Sequence, residues 1–164
     1  RYGNRIELVN SSTQDINAKV SSADVIIGAV LVPGGKAPCV VTEDMIKTMT
    51  PGSVIVDVSI DQGGCFETSE VTSHNKPVFL KHDVIHYCVP NIASRVARTA
   101  SIAISNTLTP ILLSIGEEGG LENSLRRYDF LRNGIYAHKG LLTNAVLSKN
   151  FDISYTDLNL ILDI

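Results

Sequence analysis

The run Val54-Ile-Val-Asp-Val-Ser-Ile-Asp-Gln-Gly-Gly64 constrains this chain more than any other stretch. It is apolar and β-branched at its start, and it ends in a carboxylate, an amide and two glycines. A strand covered on both faces needs such an apolar run, which points to the buried strand of a parallel sheet. Its polar residues fall at the carboxyl end, where open α/β sheets meet their ligands. Asp61 is therefore the first candidate for chemistry. The alternative is that Asp61 and Gln62 only turn the chain before the glycines, since Asp and Gly are common turn residues.

The flanking sequence repeats the strand signal. Arg5–Val9 reads as a strand, and Ser11–Ser22 as a polar helix capped by Ser12 or Thr13, with Ile16 and Val20 on one face. Asp24–Val32 is a second strand, stopped by Pro33-Gly34-Gly35. Thr42–Met49 is a short helix with Thr42 as N-cap, closed by Pro51-Gly52, and Ser53–Ser59 is the third strand. Val78–Leu80 and Val84–Val89 are further extended runs, divided by Lys81-His82-Asp83. Strands alternating with short helices imply right-handed βαβ units and a parallel sheet.

The character changes beyond Asn91. From Arg95 to Ile115, Val96, Ala100, Ala103, Ile104, Leu108, Ile111, Leu112 and Ile115 recur at helical spacing, with a kink expected at Pro110. Leu121–Leu131 and Thr143–Lys149 read as further helices, and Tyr155–Ile164 carries an apolar stripe. The expected organisation is half an α/β nucleotide-binding unit over residues 1–97 and helical packing elements over 98–164. Left without a partner, those helices would expose apolar stripes that drive association. The start at Arg1, without a methionine, suggests a piece of a longer protein.

Composition narrows the function. A net charge of −3, with no basic cluster, gives no reason to expect nucleic acid. No unbroken apolar run approaches the ~20 residues of a membrane span. Cys39, Cys65 and Cys88 are odd in number and lack CxxC spacing, which argues against a disulfide framework or a zinc site and fits a reducing cytoplasm. Cys65 beside the glycines is either a nucleophile or a small buried thiol. His74, His82, His86 and His138 match no metal-site spacing and read as surface or hydrogen-bonded residues.

No GxGxxG occurs, so the phosphate-binding half of a dinucleotide fold is not legible here. In a parallel sheet, however, the ends of three strands (Ala29–Leu31, Val58–Asp61 and Val89–Asn91) would meet at one edge. Val30, Leu31, Val58 and Val89 suit the flat face of a nicotinamide, unless they are only core. Asn91 could orient its carboxamide or the ribose.

Asp24–Pro38, Met49–Ser69 with its unbroken IDQGGCFETS string, His86–Ile92 and Arg98–Ser101 together resemble the alanine dehydrogenase family. The resemblance runs through nearly the whole chain and is strongest over 24–106. It implies the second half of a Rossmann-type parallel sheet, followed by helices of the substrate domain. It also implies NAD as cofactor and reversible oxidative deamination of L-alanine to pyruvate and ammonium, in a cytoplasmic homo-oligomer, a hexamer in the family. By resemblance, Asp61 serves the acid/base and ammonia-handling steps. Val30, Leu31, Val58, Val89, Asn91 and Ile92 would line the nicotinamide side, and Ser11 would lie near the adenosine. The related nucleotide-binding subunit of proton-translocating transhydrogenase is the alternative. The family's carboxylate clamp, general base, glycine-rich loop and ribose-binding acid have no counterpart in this chain, so the chain alone is expected to be inactive. Val89-Pro-Asn-Ile-Ala93 replaces the family's Val-Ala-Asn-Met-Pro, and Ala97 replaces a proline.

Overall fold

The computed structural model describes residues 6–164, in two compact units, the first ending at Ile92 and the second covering Ala93–Ile164. The amino-terminal part of the expected first strand, Arg5, lies outside the described residues. Ile6–Val9 form no strand, and Leu8 is exposed. The expectation fails because β identity requires a hydrogen-bonded neighbour, and no described strand pairs with this segment.

Helix α1 (Thr13–Val20) starts where Ser12 accepts a hydrogen bond from the Asp15 amide, and it buries Val20. Strand β1 (Val25–Gly28) is shorter than expected, because pairing ends at Gly28 opposite Asp57. Helix α2 (Glu43–Ile46) is capped by Thr42, with Glu43 and Asp44 in its first turn, and buries Met45 and Ile46. Strand β2 (Val54–Asp57) leads into a 3₁₀ turn, Val58–Gln62. Strands β3 (Val78–Lys81) and β4 (Val84–Tyr87) complete a sheet of order β1-β2-β4-β3.

β1, β2 and β4 are parallel, in register Val25↔Val54 and Val54↔Ile85. β3 is antiparallel to β4, so the sheet is mixed rather than wholly parallel. The reason is local. His82 and Asp83 alone join the two strands, and both take positive φ (53° and 59°), the geometry of a two-residue hairpin turn. A parallel return would need a crossover of a dozen or more residues.

Val20, Met45, Ile46, Ile55, Phe66 and Val84 form the core of the first unit. Complete burial of a side chain such as Ile46 or Ile55 contributes about 2–3 kcal/mol. Gly28 leaves room for this packing: a Cβ there would lie 2.4 Å from both Cys65 Sγ and a Phe66 ring carbon. His86 is buried on β4, stacked on Phe79 at 4.8 Å. Its Nδ1 lies 2.9 Å from the Val84 carbonyl, which can only accept, so Nδ1 carries the proton and Nε2 accepts from Thr68 Oγ1 at 2.8 Å.

In the second unit α3 (Ala97–Glu117) follows a 3₁₀ turn at Ile92–Val96 and continues through Pro110 as one helix. None of its residues is buried, and Ile102, Ile104, Leu108, Leu112 and Leu113 are exposed. The 26-residue stretch Ile92–Glu117 is long and apolar enough to cross a bilayer by length and composition alone. Inspection of unbroken apolar runs misses this, because serines and threonines interrupt the stretch without lowering its average hydropathy far. The helix expected over Leu121–Leu131 is broken at Tyr128 into α4 (Leu121–Arg127) and α5 (Asp129–Arg132). A short hairpin, β5 (Ala137–His138) with β6 (Leu141–Leu142), has no counterpart in the sequence reading. α6 (Ala145–Phe151) is capped by Asn144 rather than starting at Thr143. α7 (Leu158–Leu162) buries Leu158 and Leu162 against Leu125 of α4, while Leu160 of the expected stripe faces out.

Candidate functional site

The parallel alignment of β1, β2 and β4 brings their carboxyl ends side by side, and three sets of hydrogen bonds join them. Ser59 Oγ accepts from the Val30 amide (2.7 Å) and donates to the Val30 carbonyl (2.9 Å). The Gln62 amide does the same to Val32, accepting from its N–H at 3.1 Å and donating to its C=O at 2.9 Å. Asp61 Oδ1 accepts from the Asn91 amide at 2.9 Å. The 3₁₀ turn after β2 thus holds the chain beyond β1 on one side and the chain beyond β4 on the other.

Asp61 is exposed at this edge, and its Oδ2 has no hydrogen bond among the described residues. The carboxylate is therefore oriented through one oxygen and open through the other. Asn91 donates from a left-handed backbone (φ 50°), a conformation that Asn tolerates better than most residues.

Leu31 (76%), in the chain beyond β1, and Val58 (41%), in the same 3₁₀ turn as Asp61, are exposed, and Val30 is half-buried. Val89 is different. It is buried (2%), so the core reading holds for its side chain and only its backbone is left to meet a ligand. Ile92 is exposed at the start of the next 3₁₀ turn. Ser11 is exposed just ahead of the α1 cap, and no hydrogen bond among the described residues ties it to the other candidates. A cleft of about 510 Å³ runs along α1 and β1, bounded by residues that include Val9, Ile16, Val25, Val30 and Phe66. It takes in Val30 but not Asp61.

Behind the edge stands Asp57, which the sequence reading did not single out. Its carboxylate is buried and accepts from Ser59 N (2.9 Å), Cys65 N (3.0 Å) and Ser69 Oγ (2.6 Å). It ties both ends of the loop that carries Asp61. Gly63 closes the turn in the left-handed region (φ 94°), and a Cβ on Gly64 would come within 2.7 Å of Asp57 Oδ2, so the glycine pair is required by conformation and by space. A carboxylate closing the apolar strand itself, ahead of Asp61, was the available signal. Cys65 is buried and burial pushes its thiol up to about 11, the reverse of what a nucleophile needs. The buried-thiol alternative is the one realised.

Strand order, the parallel pairing of β1, β2 and β4 and a polar carboxyl edge define the class: an open α/β sheet domain. The chain belongs to the alanine dehydrogenase/PNT carboxyl-terminal domain family, whose family model matches residues 1–145. It is 42% identical to the alanine dehydrogenase of Mycolicibacterium smegmatis over 156 residues, 95% of this chain and 42% of that protein. It is 41% identical to that of Halomonas elongata over 157 residues, 96% of this chain and 42% of that protein. Among solved structures, an L-alanine dehydrogenase aligns with a TM-score of 0.79 and 39% identity, over 92% of this chain and 41% of that one. A transhydrogenase from Sinorhizobium meliloti aligns with a TM-score of 0.58 and 30% identity, over 63% of this chain and 30% of that one. The chain thus spans about 42% of the length of the curated relatives it matches.

Proposed function

We propose that the chain is the carboxyl-terminal part of an NAD-dependent alanine dehydrogenase, which interconverts L-alanine, NAD⁺ and water with pyruvate, ammonium and NADH. The observation that carries this reading is continuity. The structural likeness to an L-alanine dehydrogenase covers 92% of the chain, whereas that to a transhydrogenase covers 63%. In this reading residues 1–97 are part of the cofactor-binding domain. Residues 98–164 pack on a substrate domain outside this chain, which supplies the carboxylate clamp and the base that deprotonates the alanine ammonium. The exposed apolar residues of α3 are packing surface for that domain or for a second subunit rather than a membrane span, a reading supported by the alanine dehydrogenase likeness over 95–96% of the chain. The whole enzyme is then a cytoplasmic homo-oligomer acting on small molecules, with no nucleic-acid or membrane partner.

Bound NAD⁺ supplies the hydride acceptor. Leu31, Val58 and the half-buried Val30 would lie against the ring and keep water from it, the backbone of Val89 and the side chains of Asn91 and Ile92 would complete that wall, and Ser11 would serve the adenosine end. Asp61 is held through one oxygen by the Asn91 N–H and would offer its open oxygen to the substrate. As the hydride leaves, the amino group becomes an iminium, and the Asp61 carboxylate stabilises that positive charge. Water then adds to the iminium carbon, and Asp61 takes the proton that water releases and passes it to the departing nitrogen.

The test is an assay of the full-length enzyme with NAD⁺ and a panel of amino acids, following NADH. Alanine-dependent NADH formation is expected. Hydride exchange between two nucleotides without any amino acid requirement would overturn the reading in favour of a transhydrogenase subunit.

A further inference from the structure

We propose that Gln62 and Ser59 are positioning residues for the cofactor: their side chains act as a substitute strand that shapes the ring-facing wall at Val30–Val32. This rests on the alanine dehydrogenase reading and assigns a task to residues next to its carboxylate.

The argument starts from where the sheet stops. Pairing between β1 and β2 ends at Gly28 and Asp57, so Ala29–Val32 receive no ladder hydrogen bonds from a neighbouring strand. A peptide segment at a ligand edge needs its N–H and C=O groups engaged if it is to keep one shape. Here the alternate residues Val30 and Val32 are each held at both backbone groups by one side chain, Ser59 for the first and Gln62 for the second. Period-two engagement of this kind is what a strand partner would provide. A hydroxyl and a primary amide are the side chains suited to it, since each can accept and donate at once.

The turn that sends out these side chains also carries Asp61 between them. Its own position is secured elsewhere, by Asp57 at Ser59 N and Cys65 N and by the Asn91 amide on Asp61. Apart from the Gly35 N–H, which also donates to the Val32 carbonyl at 3.1 Å, the wall depends on Gln62 and Ser59, whereas the carboxylate does not depend on Gln62. That separation gives a signature distinct from loss of fold. Without the clasp, Val30–Val32 sample several shapes, and the cofactor must select the competent one, which weakens its binding by the fraction competent. Once NAD⁺ saturates the site, the wall is restored and turnover proceeds.

The experiment uses the full-length enzyme, with wild type assayed first for alanine-dependent NADH formation. No activity in wild type would defeat the functional reading itself and is recognised before any variant is made. Gln62→Met removes both hydrogen bonds while keeping length, and Ser59→Ala removes the pair at Val30 with little change in volume. For each, the Kd for NADH, read by fluorescence titration without turnover, and KM for NAD⁺ should both rise roughly tenfold or more, as expected for losing two modest hydrogen bonds. At saturating NAD⁺, kcat should stay within about threefold of wild type. Unchanged KM for NAD⁺ in both variants, or a fall in kcat with KM unchanged, would overturn the proposal. The second pattern is that of a shrunken active fraction, so a variant that merely folds poorly is told apart from one with a loosened wall.

Discussion

Replacing Asp57 tests whether one buried carboxylate holds the functional loop. The side chain is 2% exposed, and both of its oxygens accept from backbone N–H groups, Ser59 on Oδ1 and Cys65 on Oδ2. The Ser69 hydroxyl adds a third donor at 2.6 Å. In Asp57→Asn the amide NH₂ must face one of the two N–H groups, whichever way it is turned, and that donor is left without an acceptor. A hydrogen bond to a charged group contributes about 1.5–3 kcal/mol, so Asn should cost about 2 kcal/mol. Asp57→Ala strands these three donors and the weaker Cys65 thiol (3.6 Å from Oδ1), offset in part by no longer burying a charge, and should cost about 4 kcal/mol. Urea unfolding followed by circular dichroism measures both, with the midpoint shift multiplied by the slope. An Asn variant within about 0.5 kcal/mol of wild type, or an Ala variant no worse than Asn, would refute the account of Asp57 as the clasp.

Further expectations follow from the same geometry. Asp61→Asn in the full-length enzyme preserves shape and should lower kcat by about 10² or more with NADH binding little changed. A near-silent Asn variant would return Asp61 to the status of a turn residue. Burial holds the His86 imidazole below its ordinary value, so the unfolded chain binds that proton more readily than the folded one. No penalty exists above the unfolded value of about 6.5; it grows as pH falls through that value and levels off below the folded one. Unfolding midpoints of wild type and His86→Gln should therefore converge as pH drops, and parallel curves from pH 8 to 5 would contradict the burial argument. Thiol labelling of the native chain should mark exposed Cys39 first and reach Cys65 and Cys88 only on unfolding. Equal native labelling of Cys65 would mean that the loop opens far more readily than its hydrogen bonds imply.

Local chemistry was legible from the residues alone. Ser12 and Thr42 cap their helices as read, because a cap is decided within a span of three residues. The apolar, β-branched runs at Val25 and Val54 became parallel neighbours, and Asp61 stands at a strand-end edge as the polar tail of its run required. The IDQGGCFETS string carried the family resemblance, since the glycines and acids in it answer to constraints that few alternatives satisfy. Tertiary structure decided the rest. Ile6–Val9 has strand composition but no described partner, and β3 runs antiparallel because a two-residue link cannot reverse into a crossover. Val89 differs from Val30, Leu31 and Val58 only in what packs over it, which composition does not record. The links from Ser59 to Val30, from Gln62 to Val32 and from Asn91 to Asp61 join residues 29 or 30 positions apart. They exist only once Gly28 lies opposite Asp57 and Val56 opposite Tyr87, because sheet register, a property of the whole fold, sets which side chain reaches which backbone.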